Sequence, residues 1–224
     1  MNHNSDHVTR KEWIILALVF IALIASVVLS YTHPIWFKER WVVEDGPTEW
    51  TTVAWLLGCS LICIQRFKQT LPRTAARRIY FVMVLFFIFG AGEEVSWGQR
   101  ILGIESNEFF ETHNAQTETN LHNLVVGEVK INKLIFGAGF ALVLMTYLLV
   151  INSFYRKHKS VKAWIDRWQI PIPKHIHTIS YFVLILIVEL GVSSSKRGEL
   201  IEFAAPTLVW LNLWQPFNSD IFNK

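Results

Sequence analysis

Two adjacent carboxylates stand at the end of an apolar run near the middle of this chain. The segment 90–100 reads GAGEEVSWGQR and follows a long stretch without a charged residue. A carboxylate at membrane depth is costly, and it typically faces a bundle interior or a wet cavity. If the helix continues, Glu93, Ser96 and Arg100 share one face at i, i+3 and i+7, and Glu94 lies on the neighbouring face. The sequence therefore makes Glu93, Glu94, Ser96 and Arg100 candidate catalytic residues.

The densest polar stretch, residues 111–123, reads ETHNAQTETNLHN and contains two histidines, two glutamates and four carboxamides. If residues 117–126 form a helix, Glu118 and His122 lie one turn apart, which suits one metal ion or a base with its orienting acid. His113 then joins them through a loop. This predicts His113, Glu118 and His122 as metal ligands and gives His122 a second, catalytic role. The alternative is a polar outer loop whose Asn and His side chains satisfy backbone groups.

Further polar residues at the same level are candidates for substrate binding. The segment EDGPTEW, at residues 44–50, places Glu44 before a helix and Glu49 in its first turn. A carboxylate in that turn also suits the positive end of a helix, so Glu49 has a capping role as its alternative. The predicted substrate-binding residues are Glu44, Glu49, Gln99, Asn114, Gln116, Asn120, Asn123 and Glu189.

Glu189 lies deep in the apolar segment LILIVELG, where it needs a proton or a cationic partner. Arg100 is the partner that we predict for it, with Lys196 or Arg197 as alternatives. A second pair of acidic residues, spaced i, i+3, is expected on an exposed or interfacial face: Glu199 and Glu202.

The elements that position these residues are hydrophobic helices. Of the 224 residues, 52% are hydrophobic and only 17% are charged, which is too little charge for a soluble domain of this size. A bilayer core of ~30 Å needs about 20 helical residues. We therefore predict an all-α fold, a polytopic transmembrane helix bundle of five to six spans in a single domain over residues 1–224. The predicted spans cover about 13–31, 50–65, 79–101, 134–154 and 177–192, and 200–214 is either a sixth span or an interfacial helix.

The charges of the connecting segments predict the orientation of the bundle. Residues 66–78 and 156–174 are rich in Lys and Arg, and Arg10 and Lys11 precede the first span, whereas the connections 32–49 and 103–133 are rich in Glu. By the positive-inside rule, the basic segments and the N-terminus are cytoplasmic, and the acidic connections face outward across a bacterial inner membrane. The candidate residues then share the outer side, which is typical of a membrane-embedded site that opens outward.

The motifs EDGPTEW, GEEVSWGQR and NAQTETNLHN together resemble those of a set of bacterial multi-span inner-membrane proteins that carry no assigned activity, over about residues 42–124. A much fainter similarity is to the alkaline ceramidase-like membrane hydrolases, which hold a zinc ion through histidines. That likeness implies roles for Glu49, Ser96 and His122. The chain departs from it because the later helices lack a paired His-x-x-x-His and because the two histidines that begin the fifth span lie on the predicted cytoplasmic side.

Three functions fit this pattern. The first is an enzyme that hydrolyses, or transfers a group on, a lipid or lipid-linked substrate at the outer leaflet. In it Glu94 is the base, His122 is a second base or metal ligand, and Arg100 holds an anionic group. The second is a proton- or cation-coupled transporter subunit, against which the apolar inner half of the third span counts. The third is a non-catalytic accessory subunit of a membrane complex.

The cofactor and the partners follow from the same residues. A site rich in carboxylates with one or two histidines suits one divalent metal (Zn, Mn or Fe), or no metal. Membrane lipid is the first expected partner, and a partner subunit or a homo-oligomer stays open. The net charge of +3 is small, so we expect no nucleic acid.

Overall fold

The computed structural model describes residues 6–126, 129–130 and 139–222. Its helices are α1 (Arg10–Thr32), α2 (Pro34–Trp36), α3 (Pro47–Gln69), α4 (Ala75–Glu94), α5 (Gln99–Leu102), α6 (Glu108–His113), α7 (Phe140–Met145), α8 (Asn152–Lys157), α9 (Lys159–Trp168), α10 (His175–Gly191) and α11 (Gly198–Trp214). Two π-helical stretches, Phe37–Trp41 and Thr146–Ile151, follow α2 and join α7 to α8. Short 3-10 turns cover Ser96–Gly98 and Ser219–Phe222, and β1 (Val125–Val126) pairs antiparallel with β2 (Val129–Lys130).

The prediction of an all-helical membrane protein agrees with this architecture. Helices α1, α3 and α4 are long and apolar enough to cross a membrane, and α10 is apolar but shorter. The predicted span 134–154 lies partly outside the described residues, and its described part is helical from Phe140 onward. Large apolar side chains of α1 and α4 face outward rather than into the bundle, as lipid-facing helices require.

The predicted third span, 79–101, is wrong at its end, because α4 stops at Glu94. Three consecutive residues then adopt left-handed backbone angles, with φ of 46° at Ser96, 55° at Trp97 and 76° at Gly98. A helix cannot continue through such angles. The expected helical face of Glu93, Ser96 and Arg100 is therefore broken, and the chain turns back over the end of the bundle.

The long helices divide the molecule into two ends. Helices that follow each other in the chain, α3 with α4 and α10 with α11, run antiparallel, whereas α1 runs parallel to α10 and α3 runs parallel to α11. Helix α3 packs against α4 and α11, α11 packs against α10, and α10 packs against α1. At one end, which we call the acidic end, the amide of Ser193 donates to Ser30 Oγ at 3.2 Å. At the other, the basic end, the Tyr80 hydroxyl donates to the carbonyl of Gln169 at 2.6 Å. Each end thus gathers the connections that the charge pattern had grouped together.

Two apolar clusters fill the space between these ends. Leu23, Leu184 and Leu211 are fully buried where α1, α10 and α11 meet. Cys59 and Tyr80 are fully buried in the second cluster, between α3, α4 and α11. A glycine suits the close approach of α3 and α11, because a Cβ at Gly58 would lie 3.0 Å from the Trp210 ring, tighter than an ordinary contact.

A buried ion pair joins α1 to α10 at the basic end. Glu12 is fully buried, and its carboxylate caps α1 by accepting from the Thr9 amide at 2.8 Å. Lys174 Nζ donates to both oxygens of that carboxylate at 2.9 Å, and His177 Nε2 lies 3.0 Å from Oε1. His177, one of the two histidines that begin the fifth predicted span, is therefore a buried partner of Glu12.

We predict that Glu12→Gln lowers the stability of the folded bundle by about 3 kcal/mol, because it leaves the buried Lys174 ammonium without its counter-charge. Thermal unfolding of the detergent-purified protein, followed by tryptophan fluorescence, measures the change. Glu39→Gln, which alters an exposed carboxylate, is the matched control and leaves the midpoint unchanged. Equal midpoints for the two variants would contradict a structural role for the pair.

Candidate functional site

The polar loop after α4 is held on the bundle by one carboxylate. Glu93 is only 4% exposed, and its Oε2 accepts from the backbone amides of Leu121 and His122 at 2.6 and 2.9 Å. Its Oε1 accepts from Trp97 Nε1 at 2.8 Å. Both oxygens of Glu93 are therefore engaged, and this side chain anchors the loop against the end of α4.

Ser96 lies at the centre of a buried hydrogen-bond network. Its hydroxyl donates to Glu118 Oε2 and accepts from Asn120 Nδ2, the latter at 2.7 Å. Asn114 Nδ2 in turn donates to Asn120 Oδ1 at 2.9 Å. These four side chains are buried, so the network closes the loop on itself. In this arrangement the Ser96 hydroxyl is enclosed, and it serves as a link between helix end and loop.

Arg100 is surrounded by carboxylates. Its Nε lies 3.1 Å from Asp45 Oδ2 and 3.2 Å from Glu118 Oε1, in ion-pair contact but without the alignment of a hydrogen bond. Its Nη2 and Nη1 lie 3.3 Å from Glu49 Oε1 and 3.5 Å from Glu44 Oε2. The predicted pairing of Arg100 with Glu189 is wrong, and the alternative partner is confirmed: Glu189 Oε2 pairs with Arg197 Nε at 2.9 Å.

The remaining carboxamides also hold the loop. Gln99 Oε1 accepts from the Thr119 amide at 2.7 Å, and Gln99 Nε2 donates to Ser106 Oγ at 2.8 Å. Gln116 donates to Glu44 and accepts from Asn123 Nδ2. The predicted substrate-binding side chains of this region are thus engaged with the protein itself, as the polar-loop alternative expects.

The predicted metal site does not form as expected. Residues 117–124 are turns and an isolated bridge rather than a helix, so Glu118 and His122 are not one turn apart on a helical face. His113 is exposed, stacks on Phe109 and has its Nδ1 2.9 Å from the Phe109 carbonyl. Across residues 6–126, 129–130 and 139–222, no group of three or more His, Cys, Asp or Glu side chains is arranged to hold a metal ion.

Four carboxylates from three helices converge beneath this loop. Glu94 of α4 interacts electrostatically with Glu49 of α3 and with Glu199 of α11, and Glu202 of α11 interacts with all three. Glu49 is paired with Arg100. Within the described part of the chain, neither Glu94 nor Glu202 has a hydrogen-bond or ion-pair partner for its carboxylate. Each of the two residues is half-buried as a whole.

Sequence reasoning missed the contribution of α11 to this cluster. Glu199 and Glu202 were expected on an exposed or interfacial face, yet they share the cluster with Glu94. A signal was present, because Glu202 stands inside an apolar stretch, where a carboxylate rarely faces lipid. Asp45 was likewise missed as a partner of Arg100, although it neighbours Glu44.

His122 belongs to the anchored loop, and its side chain is half-buried. Burial away from water lowers the pKa of its imidazole, and the neighbouring Glu93 carboxylate opposes that shift without cancelling it. A neutral imidazole at physiological pH can accept a proton, so the environment of His122 is compatible with a base.

No protein-family model matches the chain, and neither a curated protein nor a solved structure matches it. The function is therefore inferred from the arrangement of the side chains at the acidic end.

We predict that acidification destabilises the folded protein through His122. The unfolded chain protonates this histidine at a higher pH than the folded chain does, so stability is lost as pH falls through the ordinary histidine pKa. The unfolding midpoint of the detergent-purified protein is expected to drop between about pH 7.5 and pH 5.5, and to drop less in His122→Gln. His33→Gln, at an exposed histidine, keeps the original pH dependence. Identical pH profiles for the parent protein and His122→Gln would contradict this assignment.

Proposed function

We propose that the chain is a multi-pass protein of a bacterial inner membrane, with its N-terminus in the cytoplasm and five or six spans. Basic connections gather at one end of the bundle and acidic connections at the other, which supports this orientation through the positive-inside rule. In this arrangement α11 runs between the two ends and acts as the sixth span, packed on α3 and α10.

The function that the acidic end supports best is that of a membrane-embedded enzyme acting at the outer leaflet on a lipid or lipid-linked substrate. One observation carries this proposal. Glu94 and Glu202 lie within electrostatic range of each other and have no cationic or hydrogen-bonding partner among the described residues. A purely structural cluster in a membrane gains by pairing its polar groups, as the surrounding loop does. Unpaired neighbouring carboxylates are instead suited to handling a proton.

The reaction class that fits is hydrolysis or group transfer with two carboxylates in complementary roles. One carboxylate removes a proton from water or an acceptor hydroxyl as the new bond to the substrate forms. The other, in its protonated form, gives a proton to the leaving oxygen as the old bond breaks. Glu94 and Glu202 are assigned these roles, and His122 stands near the loop as an additional proton acceptor.

The paired residues have a different part in this proposal. Glu93, Ser96, Glu118 and Asn120 hold the polar loop together at the end of α4, and Arg100 neutralises part of the acidic charge. The sequence suggested Ser96 as a reacting group and Arg100 as the group that holds an anion. In this proposal both residues instead position the loop. Both residues matter because they fasten the loop to the helix ends.

We predict that Glu94→Gln and Glu202→Gln each reduce turnover by at least ~100-fold, since each removes one proton-transfer group. The assay uses the purified protein in vesicles of phosphatidylethanolamine, phosphatidylglycerol and cardiolipin, with and without a polyprenyl-diphosphate-linked sugar, and mass spectrometry of the products. Glu105→Gln, an exposed acidic residue of the same loop, is the control and keeps full activity. Unaltered turnover in Glu94→Gln, or a lack of products from every substrate with the parent protein, would refute the proposal.

Transport is the second candidate function, and a specific observation favours it. Polar groups continue from Glu202 toward the basic end along the packed α3 and α11, where Ser60 Oγ and Asn212 Oδ1 are buried without a hydrogen-bond partner among the described residues. Thr207, which follows Glu202 and precedes Asn212 along α11, is also fully buried. A transporter needs polar groups in the cytoplasmic half of its spans. The third span lacks them there, and these groups of α3 and α11 supply them.

Proteoliposomes that contain a pH-sensitive dye separate the two candidates. If the protein is a proton-coupled transporter, an imposed cation gradient moves protons, and Glu202→Gln abolishes the signal. If it is an enzyme alone, dye response equals that of protein-free vesicles while lipid turnover persists. Glu105→Gln again provides the matched control.

A further inference from the structure

Arg66, near the end of α3, is a buried cation at the basic end of the bundle. It is 8% exposed, and in the described part of the chain it has no carboxylate partner. Its Nη2 donates to the carbonyl of Leu213, and its Nη1 lies 3.4 Å from the Tyr80 hydroxyl. A guanidinium carries five N–H donors, so these contacts leave most of its donor capacity unused. A buried charge of this kind normally has a counter-ion.

A cavity of about 350 Å³ lies directly against this guanidinium. Among the side chains that line it, Gln65, Gln69, Gln215 and Ser219 supply neutral hydrogen-bonding groups. None of the lining residues is acidic. The ring of Phe222 covers one face of the guanidinium, with its centroid 3.7 Å from Cζ. The cavity therefore combines one fixed positive charge with several neutral donors, which is the lining expected for an anion.

The geometry of the lining narrows the class of anion. A guanidinium presents planar, parallel N–H groups that match two oxygens of a phosphate or carboxylate, and carboxamides and a hydroxyl can hydrogen-bond the remaining oxygens. The volume lies at the lower end of the range for small-molecule sites. The position at the end of α3, next to the basic connection that follows it, is the level at which lipid phosphates lie if the bundle spans a membrane.

We propose that this cavity binds a phosphate group, with Arg66 as its counter-ion. The group belongs either to a phospholipid head group or to a soluble phosphate or phosphomonoester. The proposal is independent of the acidic end, because its residues are at the opposite end of α3 and α11.

Two experimental arms test the site and separate the sources. In the first, inorganic phosphate and glycerol 3-phosphate are titrated by calorimetry into the full chain in a neutral, lipid-free detergent. In the second, the protein is reconstituted in phosphatidylcholine containing phosphatidic acid or phosphatidylglycerol, and retained lipids are counted by native mass spectrometry. Binding in the first arm identifies a soluble ligand, and selective retention of an anionic lipid in the second identifies a head group; either result supports the site.

The variants link binding to the cavity. Arg66→Gln is expected to weaken binding by roughly tenfold or more, because a charge-assisted hydrogen bond is lost. Gln65→Ala combined with Gln69→Ala preserves the guanidinium and its contacts with Leu213 and Tyr80, and it is expected to weaken binding by roughly threefold to tenfold. Arg73→Gln removes the same charge from the neighbouring loop without touching the lining, and it leaves affinity unchanged.

The double glutamine variant keeps the test decisive if Arg66→Gln fails to fold. The proposal is overturned if the parent protein retains neither phosphate nor anionic lipid, or if the double variant and Arg73→Gln bind equally.

Discussion

A charge inside this helical bundle is costly unless another group compensates it, and this constraint explains where most of the polar residues lie. The cost of an uncompensated ion away from water exceeds what a single contact between helices contributes. Glu12 satisfies the constraint with Lys174 and His177, and Arg100 satisfies it with a set of carboxylates. Each compensated charge also joins one element to another. The pairs that remove the cost of burial therefore also fix how the elements are arranged.

The acidic end shows how this constraint builds a covered surface from a polar loop. Because α4 ends at Glu94, the carboxylate of Glu93 is free to accept the amides of Leu121 and His122 instead of facing lipid. The left-handed turn that begins at Ser96 redirects the chain across the helix ends. Backbone conformations of this kind are unfavourable for residues with a side chain, and they persist only where the surroundings hold them. The Ser96 and Asn120 contacts supply that hold.

Much of the helical organisation could be predicted from sequence, because lipid solvent imposes a simple rule on long apolar runs. Helices α1, α3 and α10 lie within a few residues of their predicted positions. The end of the third span could not be predicted, because the left-handed residues at Ser96 and Trp97 have no composition signal apart from the following glycine. Counting residues along a helix predicts how deep a side chain lies in the membrane. It does not predict which side chains of other helices lie beside it. The wrong pairing of Arg100 with Glu189 and the missed role of Glu202 both arise from that difference.

The contrast between compensated and uncompensated charges distinguishes the residues that hold the structure together from those that are available to a ligand. A side chain whose hydrogen-bonding groups are all engaged within the protein has none left for a ligand. Glu93 and Ser96 are engaged in this way. Glu94 and Glu202 at the acidic end retain hydrogen-bonding capacity, and Arg66 at the basic end retains it beside a cavity. Their signs are opposite, so the two ends attract different chemistry: protons or cationic groups at one, and anions at the other. Because α3 and α11 contribute to both places, a ligand at either end acts on the same pair of packed helices.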